Sequence, residues 1–203
     1  MILLDILKIK TFLKYFRSIF LFLSYILRGD VSYQIKFEQY PSIISKGKIR
    51  IGKNVFLGKN ISFKVYTGGI LEIEDDAVIS NNCSFNVREN SRIKIGKHTR
   101  INSGSIISGD VNIENNVIVA PNVIMISDSH RISEDNLSID EADEVLGLKL
   151  GSISIKKNAF IGAGAVILHN TNIGINSVIG SHALVLDDVD DGMVVVGPKA
   201  KVI

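Results

Sequence analysis

The 203 residues suit one domain of ordinary size plus an appendage, and a net charge of +2 with basic residues scattered along the chain gives no case for a nucleic-acid partner. Aliphatic residues are abundant, aromatics few and tryptophan absent, which favours many thin, similar layers over one bulky core. The single cysteine, Cys83, excludes an intrachain disulfide, fits a reducing compartment, and falls where a small buried residue is expected, so it reads as core and not as a nucleophile.

Residues 1–28 are strongly apolar and lack glycine and proline, so the expectation is a helix. Asp5, Lys8, Lys10, Lys14 and Arg17 interrupt the apolar run, and the uncharged remainder (residues 18–27) is about half the ~20 residues a bilayer span needs. Lys10, Lys14, Arg17 and Arg28 share one stripe at helical spacing, opposite Leu13, Phe16, Phe20 and Leu27. Such a basic amphipathic helix packs against the rest of the protein or a neighbouring subunit, or lies on an anionic inner-membrane surface. Residues 29–44 read as a linker, with Gly29 and Pro41 as breakers, so the appendage is taken as residues 1–44.

From residue 51 large apolar residues recur every six positions: Ile51, Leu57, Phe63; Ile73, Ile79, Phe85; Ile95, Ile101, Ile107; Ile113, Val119, Met125; Ile155, Ile161, Ile167; Ile173, Ile179, Val185. Four residues after each comes a smaller residue, such as Val55, Ala77, Cys83, Thr99, Val117, Ala159, Ala165 or Ser177. Three residues after each, sixteen of eighteen positions are Asn, Asp, Gly or His, the types that best tolerate positive φ; Asn54, Asp76, His98, Gly104, Asp110, Asn122, Asp128, His182 and Asp188 are among them. A six-residue period with a tight corner each time means short strands turning, three to a coil, into a parallel β-helix. Tyr66 and Arg88 are the exceptions, and there the ladder jumps ten residues and offers Thr67-Gly68-Gly69 and Glu89-Asn90-Ser91 as longer turns. A solenoid this thin is near energetic balance alone, so side-by-side association of copies is expected.

Between Met125 and Ile155 the ladder stops, and residues from about 127 to 151 leave it. This ejected segment has the highest acid density in the chain, with Glu134, Asp135, Asp140, Glu141, Asp143 and Glu144. It is a solvated loop or a contact to basic residues of a second copy, or else a device that disfavours a polyanionic ligand. Four histidines are available for proton transfer at neutral pH. His98 and His182 occupy corner slots and His169 precedes one; His130 alone fits no scaffold position and sits at the mouth of the ejected segment. The gaps between histidines are 32, 39 and 13 residues, so the close pair that zinc-dependent β-helices use is missing.

The repeat, together with Ala120-Pro121-Asn122, Asp128-Ser129-His130, residues 160–165 and the terminal residues 197–203, resembles the hexapeptide-repeat acyltransferases, and within them the branch that acetylates sugars, including surface-polysaccharide O-acetyltransferases. The resemblance covers residues 45–203. It implies a mainly β, left-handed parallel β-helix, a homotrimer with active sites between subunits, and direct transfer from acetyl-CoA to a sugar or glycan hydroxyl, without a metal. The family's catalytic histidine matches His130, a general base that Asp128 would orient, unless Asp128 is only another turn residue. Asn102 matches an acceptor-binding asparagine, and Phe160, Gly162, Ala163, Ser181, Lys199 and Lys201 match positions along the donor's path. Phe160 stands where tryptophan is usual, and Leu186-Asp187 replaces a frequent Thr-Lys, removing one cation expected near the phosphates. Acetylation of a nucleotide-linked amino sugar is the alternative, and a non-catalytic structural β-helix the contrast of another class. The expected location is cytoplasmic, with the basic helix at the inner face of the membrane as a further reading.

Overall fold

In the computed structural model, residue 19 and residues 22–25, 30–32, 34–130 and 138–197 are described. Strands of two to four residues stack into three parallel sheets of eight, seven and six strands. They begin at Lys36–Phe37, Ser42–Ser45 and Lys48–Ile51 and end at Val194–Val195, Leu184–Val185 and Thr171–Ile173. The chain visits them in one cyclic order, so the result is the expected parallel β-helix, a three-sided prism. Its first corner joins the eight- to the seven-stranded sheet, its second the seven- to the six-stranded, and its third leads back to the start.

The six-residue ladder fills the prism. All eighteen of its apolar positions are buried, and so are the smaller residues named with them. Register explains why: Ile95, Ile113, Ile155 and Ile173 lie directly one above another in neighbouring coils, as do Ile79, Ile101, Val119, Ile161 and Ile179. Each such side chain contributes roughly 1.5–3 kcal/mol by leaving water. Buried polar members of the narrow columns are satisfied locally, Thr99 Oγ1 donating to the Glu114 carbonyl at 2.7 Å and Ser177 Oγ to that of Gly174 at 2.7 Å.

The corners carry positive φ where expected at Asn54, Asn60, Asp76, Asn82, His98, Gly104, Asn116, Asn122, Asn158, Gly164, Asn170, Asn176 and His182. At the two longer turns Gly68 and Asn90 take it instead of Tyr66 and Arg88. Three expected corners differ. Asp110 yields the left-handed conformation to Gly109 (φ 93°), because that second-corner turn is shortened and Asp110 N is held by Ser127 Oγ at 2.6 Å. Asp128 turns no corner, since the chain leaves the coil there. Asp188, on the last coil, instead receives the Asn172 backbone N–H at 2.7 Å, and Gly192 supplies the next turn.

β-Pairing starts ahead of residue 45. Val31 bridges to Ile51, and Ser42–Ser45 pairs with Ser62–Val65, so residues 31–32 and 34–44 belong to the first coil and not to a linker. Ile19 and residues 22–25 are helical. Phe22 is wholly buried, its ring edge-on to Phe37 and Tyr40 at 5.9 Å each, and Tyr25 Oη donates to Ser45 Oγ at 3.2 Å. At these residues the segment packs on the solenoid and covers its open end, while the basic stripe Lys10, Lys14, Arg17 and Arg28 lies outside the described residues. Among the described residues no helix is long and apolar enough to cross a membrane.

Candidate functional site

The ladder breaks at the second corner. The chain exits through Asp128–Ser129 and returns through Lys149–Leu150, which pair antiparallel (Asp128 with Leu150, Ser129 with Lys149), so the excursion has a two-stranded stem. Two further contacts hold the exit. The Asp128 carboxylate is almost fully buried, and its Oδ2 accepts from Arg88 Nε at 2.9 Å and Nη2 at 2.8 Å. Ser108 Oγ stands 3.5 Å from its Oδ1. Arg88 was the misfit of the corner pattern; its side chain is used to clamp the excursion from two coils below.

His130 emerges just beyond this clamp with its side chain 68 % exposed, so the imidazole is not packed inside a coil. Its Nδ1 lies 2.5 Å from Asp143 Oδ2. Asp143 belongs to helix α1, Ile139–Leu146, whose N-terminus is fixed by a capping box. Ser138 Oγ accepts from Glu141 N, and the Glu141 carboxylate accepts from Ser138 N at 2.8 Å and Ser138 Oγ at 2.7 Å. The Ser138 donors hold the Glu141 carboxyl below its ordinary value, the side-chain hydroxyl contributing most. The carboxylate against His130 is therefore Asp143's, not Asp128's. Sequence reasoning missed it because the excursion has no period, and only the acid-rich composition near His130 hinted that a carboxylate was at hand.

The other candidate residues lie on a different edge. Asn102 is at the first corner, its Nδ2 donating to the Val119 carbonyl at 2.8 Å. Ala163 and Ser181 stack above it at the same corner, the Ala163 carbonyl accepting from His182 N at 2.9 Å. Of the corresponding turn amides, those of Lys53, Lys59, Lys97 and Ile175 are capped by a side-chain oxygen of the adjoining coil, at 2.6–2.9 Å, while those of Asp75, Asn81, Ser103 and Asn115 have no protein acceptor among the described residues. The amides of Ala163 and Ser181 have no protein acceptor among the described residues. Gly162 leaves no room for a side chain, since a Cβ would meet Ser181 N at 2.5 Å. Phe160 is 41 % exposed in an outward apolar row with Ile118, Val178 and Val194. Lys199 and Lys201 lie outside the described residues.

A strand of the seven-stranded sheet, Ile106–Ser108 in the coil of Asn102, separates the two corners. At about 3.3 Å per residue that places the Asn102 edge and the His130 edge roughly 15–20 Å apart within one copy. One chain does not bring the expected base, acceptor ligand and donor track together. Cys83 is ordinary core: its thiol sits 3.3 Å from the Asn102 carbonyl, and burial pushes its pKa up. Among the described residues no group of three or more His, Cys, Asp or Glu side chains is placed to hold a metal ion.

Comparison with known proteins supplies the context. Residues 48–84 and 152–181 match the family model described as the hexapeptide repeat of succinyl-transferase. The chain is similar to the galactoside O-acetyltransferase of Lactococcus lactis (29 % identical, 56 % of this chain and 52 % of that protein). It is also similar to that of Escherichia coli (32 % identical, 56 % of this chain and 54 % of that protein). It thus spans about half the length of the curated relatives it matches. Among solved structures, a mutant of AntD, an N-acyltransferase from Bacillus cereus, in complex with dTDP and coenzyme A, superposes with a TM-score of 0.52 at 18 % identity, over 80 % of this chain and 78 % of that one.

Proposed function

We propose that this chain, whose coils match the hexapeptide-repeat family model over residues 48–84 and 152–181, moves an acetyl group from acetyl-CoA to a sugar hydroxyl, with His130 as general base. One observation carries the reading: an exposed imidazole stands where the solenoid opens, one ring nitrogen engaged by a carboxylate and the other, Nε2, left for an incoming proton. The acceptor hydroxyl gives its proton to Nε2 while its oxygen bonds to the thioester carbonyl carbon. The carbon–sulfur bond then breaks, and the departing sulfur takes the proton back, leaving imidazole, ester and free thiol. A positioned base is typically worth 10²–10⁴ in rate.

The galactoside O-acetyltransferase names of the relatives favour oxygen as acceptor and a sugar as substrate. Their identities are low, so acetylation of a nucleotide-linked amino sugar remains the reading to test beside it. The acceptor would belong to surface-glycan assembly. Acetyl-CoA suits the uncapped amides of Ala163 and Ser181, which offer two N–H donors in line along one edge for the amide carbonyls of a pantetheine arm, with exposed Phe160 on the adjoining sheet. Lys199 and Lys201 would meet its phosphates. Because the edges bearing Asn102 and His130 are a sheet apart, a second copy supplies the missing half of each site, and a closed trimer gives three equivalent sites. Residues 1–28 would hold the enzyme at an anionic membrane face; absence of pelleting with anionic liposomes at low salt would rule this out.

The decisive experiment incubates the protein and His130→Ala with labelled acetyl-CoA and a panel of oligosaccharides and nucleotide sugars. Transfer to a hydroxyl by the wild type, reduced about 10²–10⁴-fold in the variant, is the expected result. Transfer only to amino sugars would select the alternative acceptor. No transfer, no thioester hydrolysis and no thermal shift with CoA would leave a structural β-helix.

A further inference from the structure

We propose that Asp143, on the helix of the ejected segment, is the positioning residue that fixes His130 in the tautomer with hydrogen on Nδ1, so that Nε2 is the basic nitrogen. The proposal rests on the reading of His130 as the base. An ionised carboxylate can only accept, so a 2.5 Å Nδ1···Oδ2 contact requires the hydrogen to sit on Nδ1. An exposed neutral imidazole without such a partner prefers its hydrogen on Nε2, which would leave the wrong nitrogen basic. The exposure is asymmetric: the His130 side chain is 68 % exposed and that of Asp143 only 19 %. Asp140 and Glu141, in the first turn of the same helix, are exposed, and Glu141 is used by the cap.

The obvious competitor cannot serve. Asp128 is two residues from His130, but Arg88 occupies one carboxylate oxygen from two nitrogens, and the other faces Ser108. The two carboxylates therefore divide the labour. Asp128 secures the point where the chain departs, and Asp143 reaches back from thirteen residues on to set the ring. The consequence is that the base is correctly formed only when helix α1 is folded. The segment that interrupts the repeat is thus part of the proton-transfer apparatus.

The test uses the full chain labelled with 15N-histidine. Long-range 15N–1H correlation spectra are recorded at a pH where the His130 ring is neutral, for the wild type, Asp143→Ala, and Asp140→Ala as a control on the same helix. Wild type and Asp140→Ala should show a pyrrole-type Nδ1 and a pyridine-type Nε2, and Asp143→Ala should shift the ring toward the reverse pattern. In steady-state assays Asp143→Ala should lower kcat by about 10–100-fold, less than or at most equal to the lower end of what a positioned general base contributes, with KM for both substrates nearly unchanged; Asp143→Glu should recover part of the loss. A wild-type ring protonated on Nε2, or a tautomer indifferent to Asp143→Ala, would overturn the proposal. Because the spectra are independent of turnover, a wild type that transfers no acyl group would refute the functional reading while leaving the assignment of the pair intact.

Discussion

At the scale of single residues, two kinds of position stand apart from the ladder. The corners need a left-handed backbone, which costs an ordinary residue about 1–2 kcal/mol. Asn116 isolates this cost, since it has φ 60° and its side chain makes no hydrogen bond among those of the described residues. Asn116→Ala should lower stability by about that amount in thermal or denaturant unfolding, and Asn116→Gly by much less. The other kind is the clamp at the exit. Removing the Asp128 carboxylate leaves Arg88 without its partner in a half-buried setting. Arg88 is a third exposed, so the loss should be about 1–3 kcal/mol, below that of a fully buried pair. Asp128→Ala should show it as a lower midpoint of unfolding. Of these features the corners were legible from residue type alone. The clamp was visible only as a misfit at Arg88, because which carboxylate a long side chain reaches is not a local property.

At the scale of elements, the ejected helix has a fixed N-cap and a two-stranded stem, and its Ile139 and Val145 are both exposed. Ser138→Ala should therefore loosen it by about 1 kcal/mol, seen as roughly fivefold faster proteolysis within the segment and no change in the unfolding of the β-helix. Acid should act on the same cap. The Glu141 carboxyl titrates below its ordinary value in the folded helix, so the help it gives is present above the ordinary carboxylate range and disappears as pH falls through the lowered value. The protection factors of the amides in residues 138–147 should accordingly fall as acid takes the pH below the ordinary carboxylate range, while the β-helix core stays protected. The existence of the excursion could be read from the sequence as a gap in the period. Its helix and the inward turn of Asp143 could not, since an acid-rich stretch of this length is equally compatible with an irregular loop.

At the scale of the whole molecule, the prism needs its ends and its long edges covered. Phe22 closes one end with a ring fully removed from water, and Phe22→Ala should cost about 3–5 kcal/mol of stability. Along the edges, the separation of Asn102 from His130 makes a prediction about assembly. His130→Ala and Asn102→Ala should each be impaired alone. Unfolded together and refolded as mixed oligomers, they should regain roughly a quarter of wild-type activity, because one site in four then draws an intact residue from each of two copies. Absence of recovery in verified mixed oligomers would place both groups in a site within one chain. The sequence by itself determined the coil, its corners and the one histidine outside them, because a solenoid repeats the same local solution and each hexad states it again. Only the tertiary structure decided that the chain joins the solenoid from Val31, that Asp143 and not Asp128 faces His130, and that the candidate residues occupy separate edges. Those outcomes depend on contacts between segments that share no period, and the order of residues along a chain does not encode where such segments meet.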